Sequence, residues 1–258
     1  MDDAAKLNAL AIVGGTTSFE TNYQAVARIG YCSGVLVSPT VVLTNGHCLD
    51  GPVDHIEIAG TDARVTSCTR HPQYEPGHRV HDIGACHLAS PSTVTPMQID
   101  AEAQLVVGTE VRLVGFGRSA AFANDSGALR VVESIVTRND NDGVDVGTSQ
   151  RTACPGDSGG PVLVHSEGHW RVVALLRGAA GAICASPSQT VGLHQEIDWL
   201  RSASGTDFAP SGRPYSGESV VLMVVSVCAV SVAIARSVSR ANANRSPHRR
   251  AVGPKDNC

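Results

Sequence analysis

Residues 154–161 read "CPGDSGGP", from Cys154 to Pro161. A flexible linker has no use for an acid and a cysteine beside its glycines, and an ordinary surface turn has no use for all of them together. A serine hydroxyl is a poor nucleophile at neutral pH. It needs a base to take its proton, an acid to orient that base, and donors for the oxyanion. If Ser158 is reactive, the chain must supply a histidine and a carboxylate elsewhere in settings of their own.

Both are present. "VVLTNGHC" ends an apolar run at His47, next to Cys48, and "HDIGACHLAS" sets Asp82 at the head of another short apolar strand. Alone, "GDSGGP" reads as a tight turn, His47 as a satisfied core histidine and Asp82 as a strand cap. The chain order His47, Asp82, Ser158 is one of the known orders of a Ser-His-Asp triad, and the combination outweighs the separate readings. His55, His71, His78, His81 and His87 carry no motif and read as surface or core residues.

The 258 residues are 42% apolar and 17% charged, enough for a packed core and against wholesale disorder. With 26 Gly, 13 Pro and few aromatics, turns and short strands are favoured over long helices. From Ile12 to about Leu200 the segments "GVLVSPTVVLT", "HIEIAG", "ARVTSC", "TEVRLVGFG", "ALRVVESIV", "PVLVH" and "WRVVALL" are short, rich in β-branched residues and broken by turn residues. No strand–long helix alternation occurs, so an α/β fold is excluded. One helix is predicted, in "LHQEIDWLRSA".

The net charge of −4 is uneven. From Arg236 onward six Lys and Arg face one Asp, a balance of +5, so the rest carries −9 (14 basic against 23 acidic residues). The acidic body, and a tail without aromatics, give nucleic acid no footprint. Six of the eight cysteines (Cys32, Cys48, Cys68, Cys86, Cys154, Cys184) lie in the body without a CxxC pair. Disulfides in an oxidising compartment are predicted over zinc ligands or buried free thiols. "MDDAAKLNALA" shows no basic start and no apolar run of an export signal, although Ala9-Leu10-Ala11 suits an A-x-A cleavage site. Residues 203–218 are rich in Ser, Gly and Pro and read as a linker. Residues 219–235, "SVVLMVVSVCAVSVAIA", hold no charge over 17 residues and read as a membrane-spanning or sorting segment that contains Cys228. The tail 236–258 is basic, which places it on the cytoplasmic side and the body outside. The acidic run "RNDNDGVD" fits no EF-hand spacing and reads as a solvated turn.

The blocks together resemble the chymotrypsin/trypsin-like serine peptidase family, in its compact bacterial-type form. "IVGG" (Ile12–Gly15) is similar to the family's mature N-terminus. "TNGHC" resembles its TAAHC block with Asn45 and Gly46 in place of alanines, "DIGACHL" its D-I-A-L block, "GFG" (Gly115–Gly117) its G-W-G, and "GDSGGP" its nucleophile turn. The likeness covers Ile12 to about Ser202. It implies an all-β fold of two packed six-stranded Greek-key barrels, about 12–103 and 104–202, ending in a short helix, with residues 1–11 a propeptide or leader remnant.

The resemblance further implies a zymogen, and a secreted endopeptidase that takes protein or peptide substrates, needs no cofactor or metal and acts as a monomer. Ser158 is then the nucleophile, His47 the general base and acid, and Asp82 its orienting carboxylate. Gly156 and Ser158 supply the oxyanion N–H groups. Asp157 pairs with the α-amino group of Ile12 after cleavage at Ala11–Ile12. Thr152, Arg177, Gly178 and Ala179 line the specificity pocket. Thr152 at its base carries no charge, which predicts small or medium uncharged P1 side chains. The implied disulfides are Cys32–Cys48 and Cys154–Cys184. Cys68 and Cys86 remain, on strands expected to run antiparallel in the first barrel, a geometry that suits a third bond. "WRVVALLRGAAGAIC" departs from the family, which has S-W-G where Leu176 or Arg177 stands. Arg177 either faces substrate, favouring acidic peptides, or points outward, the reading preferred on sequence. A catalytically silent binding module on the same fold is the alternative, and an esterase shares the chemistry.

Overall fold

The computed structural model describes residues 12–208, apart from 19–20, 101, 104, 142 and 180–183. The implied propeptide, the 219–235 segment and the basic tail therefore lie outside the described residues. So does most of the implied linker. No helix among the described residues is long and apolar enough to cross a membrane.

The described residues form thirteen strands and one α-helix. After β1 (Thr16–Thr17), strands β2 (Val26–Ile29), β3 (Cys32–Ser38), β4 (Val41–Thr44), β5 (His55–Ile58), β6 (Thr61–Arg70) and β7 (Gly84–Leu88) close an antiparallel barrel in the order β2-β3-β4-β7-β6-β5. The second barrel comprises β8 (Glu110–Gly115), β9 (Arg130–Asp140), β10 (Gly143–Val146), β11 (Pro161–Ser166), β12 (His169–Ala179) and β13 (Ser188–Gly192). Its order is β9-β10-β13-β12-β11-β8, and the β8–β9 pairing closes it. Helix α1 (Leu193–Ser204) follows directly. Both barrels are six-stranded, and the fold is all-β.

The burial pattern explains why these segments are strands. In β9, Arg130, Val132, Ser134 and Val136 face in while Glu133 and Ile135 face out, the two-residue period of a half-buried strand. β3 and β4 are buried on nearly every residue, and their near-continuous run of Val and Leu suits a strand covered on both faces. "RNDNDGVD" is not one loose turn: Arg138–Asp140 end β9 and Gly143–Val146 form β10. Asp140 and Asp145 are matched, since Arg138 binds both and Arg79 binds Asp145.

The two halves are stitched together by the ends of the described chain. β1 pairs with β9 of the second barrel, and Ile12 is fully buried in that barrel's core with Leu113, Val136 and Val162. In the other direction, α1 packs on β12 and reaches across to β7 of the first barrel. Leu193 and Leu200 join the cluster of Leu36, Leu43 and Ile83, and His87 of β7 bonds the Ala203 carbonyl at 2.9 Å. The helix ends at Gly205, whose φ of +62° is the left-handed stop and whose N–H returns to the Arg201 carbonyl.

Candidate active site

His47 opens the short 3-10 turn His47–Leu49 that follows β4, and Asp82 lies just before β7, the strand paired with β4. Register therefore brings the two together. Asp82 has no solvent exposure. Its Oδ2 lies 2.8 Å from His47 Nδ1, and its Oδ1 accepts the His47 backbone N–H at 2.8 Å. Burial pushes the Asp82 carboxyl up, but the His47 hydrogen bonds, followed by the Arg177 charge, outweigh it and hold the group below the usual aspartate range.

Two residues that the sequence left without a role complete this corner. Asn45 is buried, and its Nδ2 donates to the Asp82 carbonyl at 2.9 Å. Tyr74 lies against Gly46, where a Cβ would sit 3.1 Å from its ring. These contacts account for the two departures from alanine in "TNGHC". The only available signal was the departure itself.

The Cys154–Pro161 turn docks on that corner from the second barrel. Ser33 donates its N–H to the Ser158 carbonyl at 2.8 Å and its hydroxyl to the Gly156 carbonyl at 2.8 Å. Gly159 lies so close to the end of β4 that a Cβ would come within 2.3 Å of Thr44 Oγ1. Gly156 holds φ at +104°, and a Cβ there would strike the Gly117 Cα at 2.7 Å. In this turn the N–H groups of Asp157, Gly159 and Gly160 all donate to carbonyls, whereas those of Gly156 and Ser158 donate to no group among the described residues. The Ser158 hydroxyl donates to the Arg177 carbonyl at 3.1 Å.

Asp157 is also fully buried. Its oxygens accept the N–H groups of Gly117 and Cys154, each at 2.8 Å, and it forms no ion pair among the described residues. Burial is the main cause of a carboxyl pushed up to about 7, which the two amides and, after them, the Arg130 charge offset only in part. Ile12, one segment away in the same barrel, has φ +48°, a strained value for a β-branched residue.

Thr152 is buried with its hydroxyl already engaged, 2.7 Å from the Ser186 carbonyl and 2.8 Å from Ser188 Oγ. Gly178 and Ala179 end β12, paired with Gln189 and Ser188. Arg177 corrects the sequence reading. It does not point outward: its Nε donates to Asp82 Oδ2 at 2.9 Å. Disulfides join Cys32 to Cys48, Cys68 to Cys86 and Cys154 to Cys184, so each barrel carries at least one beside the site. Behind Asp82, His81 lies 3.0 Å from the buried Glu196 and stacks on His71, with ring centroids 4.2 Å apart. Burial, more than the neighbouring His81, holds His71 below the usual histidine range, although Glu196 opposes it.

Chemically, a buried carboxylate fixes one imidazole, a serine turn abuts that imidazole's loop, and the amides of Gly156 and Ser158 have no acceptor among the described residues. Comparison with known proteins shows the family. Residues 12–199 match the family model for trypsin. The phenoloxidase-activating enzyme 1 of Spodoptera litura is 26% identical over 251 residues, covering 74% of this chain and 66% of that protein. Human granzyme M is 25% identical, covering 67% of this chain and 79% of its own. Glucanase inhibitor protein 1 of Phytophthora sojae is 28% identical, covering 52% and 61%.

Proposed function

The chain belongs to the trypsin family, and we propose that it is a serine endopeptidase acting through an acyl-enzyme. The observation that carries this reading is the buried Asp82 carboxylate locked to His47 by two hydrogen bonds. Ser158 attacks the scissile carbonyl, and His47 takes its proton and returns it to the leaving amine. Asp82 fixes the imidazole tautomer and stabilises the imidazolium. The free N–H groups of Gly156 and Ser158 receive the oxyanion, an interaction whose loss typically costs about 10²–10³ in rate.

Cleavage before Ile12 creates an α-amino group that pairs with Asp157. Support comes from the fully buried carboxyl pushed up to about 7 and from the strained φ at Ile12 in the uncut chain. A buried carboxylate without a cation is costly, so this pairing is the driving force for activation. The pocket formed with Thr152 takes small or medium uncharged P1 side chains, because the Thr152 hydroxyl is already engaged and no charge stands there. Three disulfides fit an extracellular or periplasmic site of action, on protein substrates.

The second reading is a binding module on the same fold. A relative named as a glucanase inhibitor favours it, as does the Ser158 hydroxyl turned to the Arg177 carbonyl. One experiment separates the two: removal of residues 1–11, then fluorophosphonate labelling and assay on peptides varied at P1. Label on Ser158, with turnover best at Ala, Val or Leu, is expected. A folded protein without label would favour the binding module, and fastest cleavage after Arg or Lys would overturn the pocket assignment.

A further inference from the structure

Arg177 occupies a β-bulge. Leu176 pairs with Thr190 and the next paired residue, Gly178, meets Gln189, so Arg177 has no opposite number on β13. An extra residue in a strand re-aims its side chain, and bulges recur beside active sites for that reason. Here the side chain is sent across the cleft between the barrels. Nε donates to Asp82 Oδ2 at 2.9 Å, Nη1 to Gln189 Oε1 at 2.8 Å, and Nη2 to the His78 carbonyl at 3.1 Å. Every guanidinium nitrogen is used. The side chain is only 19% exposed and the carboxylate it meets is not exposed at all.

The same carboxylate oxygen accepts from His47 Nδ1 at 2.8 Å. One oxygen of Asp82 therefore holds both the imidazole and a permanent cation. We propose that Arg177 is a positioning residue of the triad: it fixes the Asp82 oxygen that holds His47, supplies a standing counter-charge, and so sets the pH at which the peptidase loses activity on the acid side. The inference rests on the peptidase reading above.

The electrostatics follow from the shared oxygen. A carboxylate paired only with a neutral imidazole leaves a net negative charge buried, and that charge favours a proton on the imidazole. With Arg177 in place the buried carboxylate already has a cation on it, and its charge at the imidazole is partly cancelled. Other titratable groups around the pair lack this contact. Tyr74 packs against Gly46, and burial together with the Asp82 charge pushes its hydroxyl up. Arg70 is spent on Asp50, and Arg79 on Asp145. His81 and His71 face Glu196, while His78 and Glu75 are exposed and face each other. Among the described residues, Arg177 is the cation besides His47 that pairs with Asp82.

The test is the pH profile of kcat/KM for the activated wild type, Arg177→Gln, Arg177→Lys and Gln189→Ala. Removing the charge should move the acid limb of the profile up by about one pH unit, because a fixed charge within reach of a titrating group shifts it by that order. On the acid flank this is about a tenfold loss against wild type. Arg177→Lys should keep the limb near its original place while losing the bonds to Gln189 and the His78 carbonyl. Gln189→Ala, which frees one anchor and leaves Asp82 and the guanidinium intact, should give a smaller shift in the same direction, and it carries the test if Arg177→Gln fails to fold. The proton between His47 and Asp82, followed by NMR, should move downfield in Arg177→Gln as Oδ2 regains basicity. That reading needs no turnover, so it stands even if the wild type proves inert to the fluorophosphonate and the peptidase reading falls. A limb unmoved in Arg177→Gln, an unmoved proton resonance, or an equal loss of rate at every pH in the Gln and Lys variants would overturn the proposal.

Discussion

Each barrel buries an aspartate completely, and the two fare in opposite ways. Asp82, at the edge of the first, accepts from His47 twice and from Arg177 once, and is held below the usual aspartate range. Asp157, in the second, accepts two backbone amides, pairs with no cation among the described residues, and is pushed up to about 7. Burial raises both. The difference is the presence of cationic or ionisable donors, so loss of water alone does not decide the charge on a buried carboxylate. One aspartate has its ion-pair partners in place, and the other has none among the described residues.

The largest effect should come from exchanging each aspartate for its amide. Asp82→Asn should lower kcat/KM about 10⁴-fold with folding retained, since the imidazole is then held in the wrong tautomer. A loss below about tenfold, measured by active-site-titrated kinetics, would remove Asp82 from the triad.

The second test concerns stability of the uncut chain. The folded Asp157 carboxyl keeps its proton to about pH 7, whereas an unfolded one releases it near 3.9. Folding therefore takes up a proton between those values, and stability should fall as pH rises through that window, by about 1.4 kcal/mol per pH unit and about 4 kcal/mol in all. Urea unfolding at pH 5 and pH 7 reads the slope. Asp157→Asn should abolish this contribution, and cleavage before Ile12 should remove it as well. A slope identical in Asp157→Asn would show that the carboxyl is not the titrating group.

The smallest effect sharpens the role of burial. Arg28 and Glu57 pair across β2 and β5 with the arginine 46% exposed. A double-mutant cycle on this pair should return at most about 1 kcal/mol, reduced by salt.

The parts legible in the sequence were those with a local pattern. Short strands follow from β-branched runs between turn residues, α1 from the spacing of Leu193, Ile197 and Leu200, and the barrel pairing from the resemblance that "VVLTNGHC" and "GDSGGP" carry. β10 and β13 were missed because "NDGVD" and "SPSQTVG" are polar and short, and only pairing to neighbours makes them strands. The role of Asn45 was missed because its partner, the Asp82 carbonyl, is distant in the chain. Arg177 was misread for a related reason. A bulge is defined by register against another strand, and nothing within "ALLRGAA" shows that one residue there has no opposite number.

The stitching of the two barrels bears on how the protein is made. The second half borrows Ile12 and β1 from the start of the described chain, and α1, synthesised after both barrels, bridges β12 and β7. Neither half is a separable module. The interleaving defers closure of the contact between the barrels until the ribosome has delivered nearly the whole region.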